Sequence, residues 1–577
     1  LLPSFETLDE PTGSGGTGGS GGSGGSAGSD EGGAPNQGGE PNVGGQAGEG
    51  GMNTPLVVED DVYVLVQGNE LSRIESQGVL SNDSGDGLTV TGLTPAPSSA
   101  PDSYAPEFEI EKDGSFSFVP VPEFFGAFRA SYEVSDSAGN TAQADVTIYV
   151  QPREADVSAL EDGVGGFCLR AAGADGVGSA IAGVGDIDGD GLGDFAVGAP
   201  EADSKAGRVY VVRGAATGEG FELVALTPDS DETRYFAIDG VAGSELGYAV
   251  SPAGDLDGDG LDDFLVGAPE TAPADGKVHV IHGVGKPPAQ EAIGDAGALS
   301  FEGELSDNIG QLVAGGYDLD GDGVPDPVIV GDRPVAYRGR YYVADGAAVS
   351  STTLDDQVPH IVGAADNDYL YQGAASVGDV DGDGNNDLLL ASASVIALVR
   401  GPVSEFPADL GASFTNEHGS VVARSAAAPV SVARAGDIDG DGENDVVFCD
   451  GVQTCKIVFG PVEDLIAGLS IEGFGGTALY TAAADLTGDD ASEALFSDGT
   501  NVYAVFGDSV EKDGSFDVAD LPGAEGFVVT GADAPIASLA PVGDLNGDGH
   551  QDLAFGIPTA PGVDARVCVL YGTPKAP

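Results

Sequence analysis

The sequence predicts an all-β protein in which a seven-bladed β-propeller follows a small N-terminal β-sandwich and a disordered Gly/Ser-rich leader. Three observations carry that prediction. An Asp-rich nonapeptide recurs seven times between residues 186 and 552, each copy set between short apolar runs. Residues 55–151 alternate apolar and polar side chains in short runs broken by turn residues. Glycine supplies 94 of the 577 residues while Trp is absent and Met occurs once, which suits short strands and tight turns rather than long helices.

Residues 1–54 read as a tether. The Gly/Ser run from Gly13 to Gly51 cannot bury enough apolar surface to offset its ordering entropy. The chain opens at Leu1 and its one Met is Met52, so a trimmed start or a removed targeting segment is expected. No run of about 18 apolar residues is present, so no membrane-spanning helix is predicted.

Residues 55–151 predict strands at Val62–Val66, Leu88–Val90, Phe116–Val119, Ala130–Val134 and Ala144–Val150. Turn signals separate them at Asn82-Asp83, Asp113-Gly114 and Ala138-Gly139-Asn140. About 95 residues of short strands fit one β-sandwich. The runs Asp60-Asp61-Val62-Tyr63, Gly78 to Asp83, Asp113 to Phe116 and Tyr132 to Asp136 make this segment resemble the cadherin-like, immunoglobulin-type modules of bacterial surface proteins. Asp60, Asp61, Asp83 and Asp136 are read as solvated turn acids rather than as calcium ligands at a domain junction.

Residues 152–577 hold the repeat. The formal charge of −74, from 95 acidic and 21 basic residues, argues against nucleic acid and anionic membranes as partners. Where the acids stand explains why they are there. Six of the seven loops follow D-x-D/N-x-D-G-x-x-D, and the starts of the seven lie 48 to 69 residues apart. Positions 1, 3, 5 and 9 supply side-chain oxygens and position 7 a backbone carbonyl, a set suited to the six to eight oxygens calcium takes. In order the candidate ligands are Asp186, Asp188, Asp190, Leu192 and Asp194, then Asp255, Asp257, Asp259, Leu261 and Asp263. Asp318, Asp320, Asp322, Val324 and Asp326 form the third set, and Asp379, Asp381, Asp383, Asn385 and Asp387 the fourth. The fifth is Asp437, Asp439, Asp441, Glu443 and Asp445, and the seventh is Asp544, Asn546, Asp548, His550 and Asp552.

The sixth loop is degenerate, reading Asp485, Thr487, Asp489, Ala491 and Glu493 with Asp490 where glycine is expected, so its ion should be the weakest held. An isolated Asp-Gly turn would be read as a polar turn capping its own backbone. Three to five like charges in nine residues, repeated seven times, instead call for counter-ions. Up to seven calcium ions are therefore expected. Apolar alternation beside every loop excludes helical EF-hands, and the loops lack the His and Cys that zinc prefers, apart from His550.

Around the first loop four short strands are predicted at Ser179–Gly185, Asp194–Pro200, Gly207–Gly214 and Tyr235–Ile238. Gly198-Ala199-Pro200 and Gly267-Ala268-Pro269 recur and decay to Gly556-Ile557-Pro558, while Val177-Gly178, Leu246-Gly247 and Ile309-Gly310 form a second signature. On these motifs the region resembles FG-GAP repeats, the units of the integrin α-subunit propeller and of many bacterial surface proteins. Units four to six keep the loop and lose both signatures.

Closure of such a ring would set the strand holding Cys168 beside the third strand of the last blade, which holds Cys568, and a Cys168–Cys568 disulfide is expected. Cys449 and Cys455 flank Asp450-Gly451 at a hairpin and should pair as well. Two disulfides point to an oxidising compartment.

The resemblance implies a secreted or cell-surface adhesion and binding module, not an enzyme, with an unidentified protein or glycan ligand. The alternatives are a calcium-dependent lectin and a propeller-based polysaccharide lyase or hydrolase. His279 and His282 stand three apart in a strand and so face opposite sides. His360, His418 and His550 fall on predicted turns without a Ser or Cys partner. Tyr210, Tyr341, Tyr503 and Tyr571 recur near third strands, where core packing explains them more simply than sugar stacking.

Overall fold

A computed structural model describes residues 54–576 apart from 97–100, 172–174, 217–233, 270–275, 285–289, 293–298, 304–307, 332–338, 347–351, 355–357, 363–372, 393–394, 403–418, 424–430, 450–452, 464, 466, 477–479 and 559–563. The leader, His418 and the Asp450-Gly451 turn lie outside the described residues. The fold is all-β, with nine sheets and two short α-helices among the described residues.

Two sheets form the N-terminal part. The larger runs in the spatial order Asp61–Val66, Thr141–Gln151, Gly126–Ser135, Thr89–Pro95, and its first pair is parallel. The smaller holds Leu71–Arg73, Phe116–Val119 and Glu107–Ile110. Inward positions alternate along Gly126–Ser135 and bury Tyr132 and Val134. Phe108, Phe116, Phe118 and Phe128 meet edge-on or tilted beneath the smaller sheet. Two strands went unpredicted, Leu71–Arg73 and Glu107–Ile110, one being short and the other carrying glutamates on its outer face. Asp61 departs from the reading as a solvated turn acid. It opens a strand, is 6% exposed, and accepts 2.7 Å from the Tyr132 hydroxyl. Asp136 is a turn acid, accepting from the backbone of Ala138 and Asn140.

Seven further sheets follow in chain order. Each begins with a strand leading into an Asp-rich loop and a second strand leaving it, as in Ala180–Gly185 and Asp194–Ala199, and continues through an antiparallel third and fourth. The strands of the first sheet are Ala180–Gly185, Asp194–Ala199, Arg208–Val212 and Tyr235–Asp239. Their side chains are buried on both faces, because sheets pack on either side, and this is why the sequence shows apolar runs here rather than alternation.

Four sheets carry a fifth strand that the four-strand expectation lacked. Gln290–Ala292, Thr352–Leu354, Gly514–Asp517 and Glu154–Asp156 each run parallel to the outer edge of the first, second, fifth and sixth sheet. A covered edge no longer offers free N–H and C=O groups to other chains.

The first strands touch one another in succession. Ala180–Gly185 packs beside Val250–Gly254, and the series continues through Val313–Ala314, Gly373–Gly378, Ser431–Gly436, Tyr480–Ala484 and Ser538–Pro541, which returns to Ala180–Gly185. The repeated glycines explain how closely neighbouring sheets approach. A Cβ on Gly198 would collide with the carbonyl of Gly247, one on Gly267 with that of Gly310, and one on Gly556 with that of Gly178. Each glycine of the first signature thus rests on a glycine of the second in the next sheet.

The seventh sheet is completed by a strand from the beginning of the region. Gly166–Ala171 pairs antiparallel with Ala565–Leu570, Cys168 faces Cys568, and the two form a disulfide. Cys449 and Cys455 face one another on adjacent strands and are also bridged. Between Glu154–Asp156 and Gly166–Ala171 stands the helix Val157–Glu161, with Asp156 accepting from the Ser158 N–H as its N-cap. Glu161 at its end receives Arg566 from the last sheet at 2.7 Å.

Loss of the long-range bridge should be the more damaging of the two. Cys168→Ser with Cys568→Ser releases a closure spanning 400 residues and is expected to lower unfolding free energy by about 2–5 kcal/mol. Cys449→Ser with Cys455→Ser opens a closure of only 6 residues and should cost less. Denaturant unfolding of both double variants checks the order, and equal losses would contradict it.

Candidate metal centres

The seven loops share one hydrogen-bond plan. In the first, the carboxylate of Asp186 accepts from the N–H groups of Gly189 at 2.7 Å, Asp190 at 3.1 Å and Gly191 at 2.8 Å, which winds the backbone around it. Asp190 accepts in turn from Leu192 N–H at 2.9 Å. Position 6 needs a left-handed backbone, with φ +86° at Gly191, and in the sixth loop Asp490 adopts φ 68° despite its side chain.

The position-9 carboxylate is the hub. Asp194 is fully buried; one oxygen accepts from Ile187 N–H at 3.1 Å and the other from Gly214 N–H at 2.8 Å, at the end of the third strand. The same double clamp recurs at Asp263, Asp326, Asp387, Asp445 and Asp552, whose glycine partners are Gly283, Gly346, Gly401, Gly460 and Gly572. The sixth loop keeps that plan at its first position but breaks the clamp at its ninth. Glu493 accepts from Leu486 N–H, but its other oxygen accepts from the Thr487 hydroxyl at 3.2 Å, so two positions meant for a cation satisfy each other.

Burial raises these acids. Loss of water contact pushes the Asp194 carboxyl up to about 8, Asp387 and Asp445 up to about 7, and Asp326 up to about 6. Asp552 and Glu493 rise as well from the same cause.

Ligand oxygens of Asp186, Asp188 and Asp194 lie within 4.8 Å of one another, as do those of Asp255, Asp257 and Asp259, of Asp318, Asp320 and Asp326, and of Asp379, Asp381 and Asp387. Asn546 decides the fit. It is 5% exposed at position 3 of the seventh loop, and its Oδ1 accepts no hydrogen bond. A buried carbonyl oxygen left without a donor suits a cation partner. An all-oxygen donor set that is converging, buried and acidic fits calcium.

Two features escaped the sequence reading. Basic side chains reach into the loops: Arg213 lies 3.4 Å from Asp188, Arg400 2.8 Å from Asp381, and Lys512 contacts Asp439 and Asp441. From the N-terminal sandwich, Arg129 lies 3.9 Å from Asp548, and Tyr149 meets His550 edge-on. Consecutive loops are also tied together through position 8. Asp262 N–H donates to Asp186 O, Asn386 Nδ2 to Asp318 O, Asn444 Nδ2 to Asp379 O, Ser492 N–H to Asp437 O, Gln551 N–H to Asp485 O, and Gly193 N–H to Asp544 O. At the remaining junction position 8 is Pro325, which has no N–H and lies over Gly254 instead.

Of the other residues singled out in the sequence, His279 is half-buried in Lys277–Ile281, where loss of water contact pulls its imidazole down to about 4. His360 opens the strand His360–Val362 rather than a turn, since its edge pairing to Tyr342 overrides the nearby turn signals. Tyr210, Tyr341 and Tyr503 are buried in the sheets, as core packing requires.

The loop plan in its strand setting is matched by a known repeat. Residues 177–212 and 246–281 match the FG-GAP repeat. They cover the first three strands and the loop of the first and second sheets. Residues 53–149 match the bacterial Ig domain. Integrin alpha-5 of Xenopus laevis is 31% identical over 182 residues, 29% of this chain and 16% of that protein. Integrin alpha-7 of Homo sapiens is 30% identical over 193 residues, 31% of this chain and 15% of that protein. Integrin alpha-PS2 of Drosophila melanogaster is 29% identical over 198 residues, covering 31% and 14%. The chain thus spans about one sixth of the length of these relatives.

Two outcomes test the loops as cation sites. A folded-state pKa raised above the unfolded value of about 4 means that the folded chain binds more protons between the two values. In chelator the melting temperature should therefore fall as pH rises from about 5 to 8, and excess calcium should abolish that slope by replacing the proton. Thermal melts across pH check this, and a chelated protein that gains stability over that range contradicts it. Separately, Asp194→Asn should lower the calcium count per chain by one, while Glu493→Gln leaves it unchanged, as read by equilibrium dialysis.

Proposed function

We propose that this chain is an extracellular, calcium-stabilised binding and adhesion module built on a closed seven-bladed propeller, residues 152–577, carried behind an Ig-like sandwich, residues 55–151, and a Gly/Ser-rich tether. The observation that carries the reading is the series of buried, doubly clamped carboxylates beneath like-charged loops. Closure is supported by the return of Ser538–Pro541 to Ala180–Gly185, by Gly556 resting on Gly178, and by the strand Gly166–Ala171 in the last sheet. The two disulfides favour an oxidising compartment, and the Ig-domain match favours a bacterial surface.

Calcium in six loops, and weakly in the sixth, serves this reading as scaffold. Each ion would neutralise acids that tie the first two strands of a sheet to the end of the third. Ligand contact then falls to the surfaces between loops, as the likeness to integrin α chains suggests. A lectin draws no support from the buried tyrosines, and a hydrolase or lyase draws none from the scattered histidines.

Screening the full chain against arrays of extracellular-matrix proteins and glycans, with calcium and with chelator, tests the proposal. Saturable binding to a protein or glycan that chelator abolishes is the expected result. Depolymerisation of polysaccharides by the purified chain, or binding that persists after chelation has unfolded residues 152–577, would overturn it.

A further inference from the structure

We propose that the seventh loop is shared between two parts of the chain: Arg129 of the sandwich supplies its counter-charge and competes there with calcium. The proposal rests on reading the loops as calcium sites, and it couples the filling of one of them to the seating of the sandwich.

In three sheets the residue before the clamping glycine is basic, namely Arg213, His282 and Arg400. Each stands beside the position-3 aspartate of its own loop, at 3.4, 3.4 and 2.8 Å. In the seventh sheet that place is held by Tyr571, which brings no positive charge. The cation comes from the sandwich instead. Arg129, in the strand Gly126–Ser135, sets Nη2 3.9 Å from Oδ2 of the position-5 residue Asp548, whose side chain is 5% exposed. On the adjoining strand the buried Tyr149 meets His550 edge-on. His550 lies in turn against the sixth loop, where a Cβ added to Gly488 would stand 2.3 Å from its Nδ1.

Two further observations give this contact its meaning. Asn546, in the same loop, buries an Oδ1 that accepts no hydrogen bond, which points to a cation in the loop that Arg129 faces. The sandwich is also firmly seated on the last sheets. Gly126 approaches Gly165 so closely that a Cβ would come within 2.6 Å of its Cα, and Ala576 N–H donates to Gln151 Oε1 at 3.0 Å. Phe125 and Val150 share one apolar cluster with Leu160 and Leu570. That packing keeps Arg129 beside the loop whatever charge the loop carries. Calcium would bring two positive charges to the acids that Arg129 already faces, and like charges at this range repel. Arg129 therefore weakens calcium in the seventh loop, and calcium there weakens the seating of this edge of the sandwich by the same factor. In the first and fourth sheets the same competition stays within one sheet; in the seventh it reaches another domain.

Hydrogen exchange read by mass spectrometry across a calcium titration of the full chain follows each loop separately and tests the coupling. At low salt the segment 544–552 should gain protection at about fivefold lower calcium in Arg129→Gln than in the wild type, the low end of common couplings because Arg129 is partly exposed. Arg129→Lys should stay close to the wild type, and the other loops should not move. The difference should vanish in about 1 M monovalent salt, which screens charge but leaves packing in place. In the wild type, which needs no variant, the segment 126–135 should exchange faster as 544–552 becomes protected. Equal midpoints in the wild type and Arg129→Gln, a shift that survives high salt, or a segment 126–135 indifferent to calcium overturns the proposal. Calcium-dependent protection absent from every loop would instead bring down the cation reading itself.

Discussion

A carboxylate shut away from water beneath each loop is the constraint on which the sheets depend. Asp194 and its counterparts hold the turn between the first two strands with one oxygen and the end of the third strand with the other. Three strands thus meet on one ionisable group, and that group is stable in its charged form only beside positive charge. The acidity of the sequence is therefore concentrated where the fold is stitched.

Neighbouring sheets meet through a different device. Gly198 on Gly247, Gly267 on Gly310 and Gly556 on Gly178 are contacts between backbones, possible only where neither partner has a side chain. Each signature is useful only if the other is present, which explains why units four to six have lost both together. In those units the second strands end in larger residues, Ala391, Cys449 and Ser497, and the sheets pack through side chains instead. The loop plan survives the exchange because it lies within one sheet and asks nothing of the adjacent one beyond the position-8 bonds.

Much of this was legible in the sequence because ligand spacing, turn glycines and apolar runs are local patterns. The strands of the first sheet and the register that pairs Cys168 with Cys568 could be read from them. What escaped was set by contacts distant along the chain. The fifth strands, such as Gln290–Ala292, are three or four residues long and marked by no apolar pattern of their own. Nothing near Arg400 or Lys512 signals that each will face acids of a loop, since strand register decides it. Arg129 and Tyr149 reach the seventh loop from a region about 400 residues earlier, a proximity no local pattern encodes.

The strand Gly166–Ala171 has a consequence for how the chain is made. Its partner Ala565–Leu570 leaves the ribosome 400 residues later, an interval of about 20–80 s at about 5–20 residues per second. During that interval the strand has no sheet to join, Cys168 has no thiol opposite it, and Ala180–Gly185 lacks one of its two flanking neighbours. Sheets one to six can assemble in order of synthesis, but the seventh waits for Ala565–Leu570. The last of these seven sheets to be completed is therefore the one in which Gly166–Ala171 meets Ala565–Leu570, and loss of the latter leaves the former without a partner.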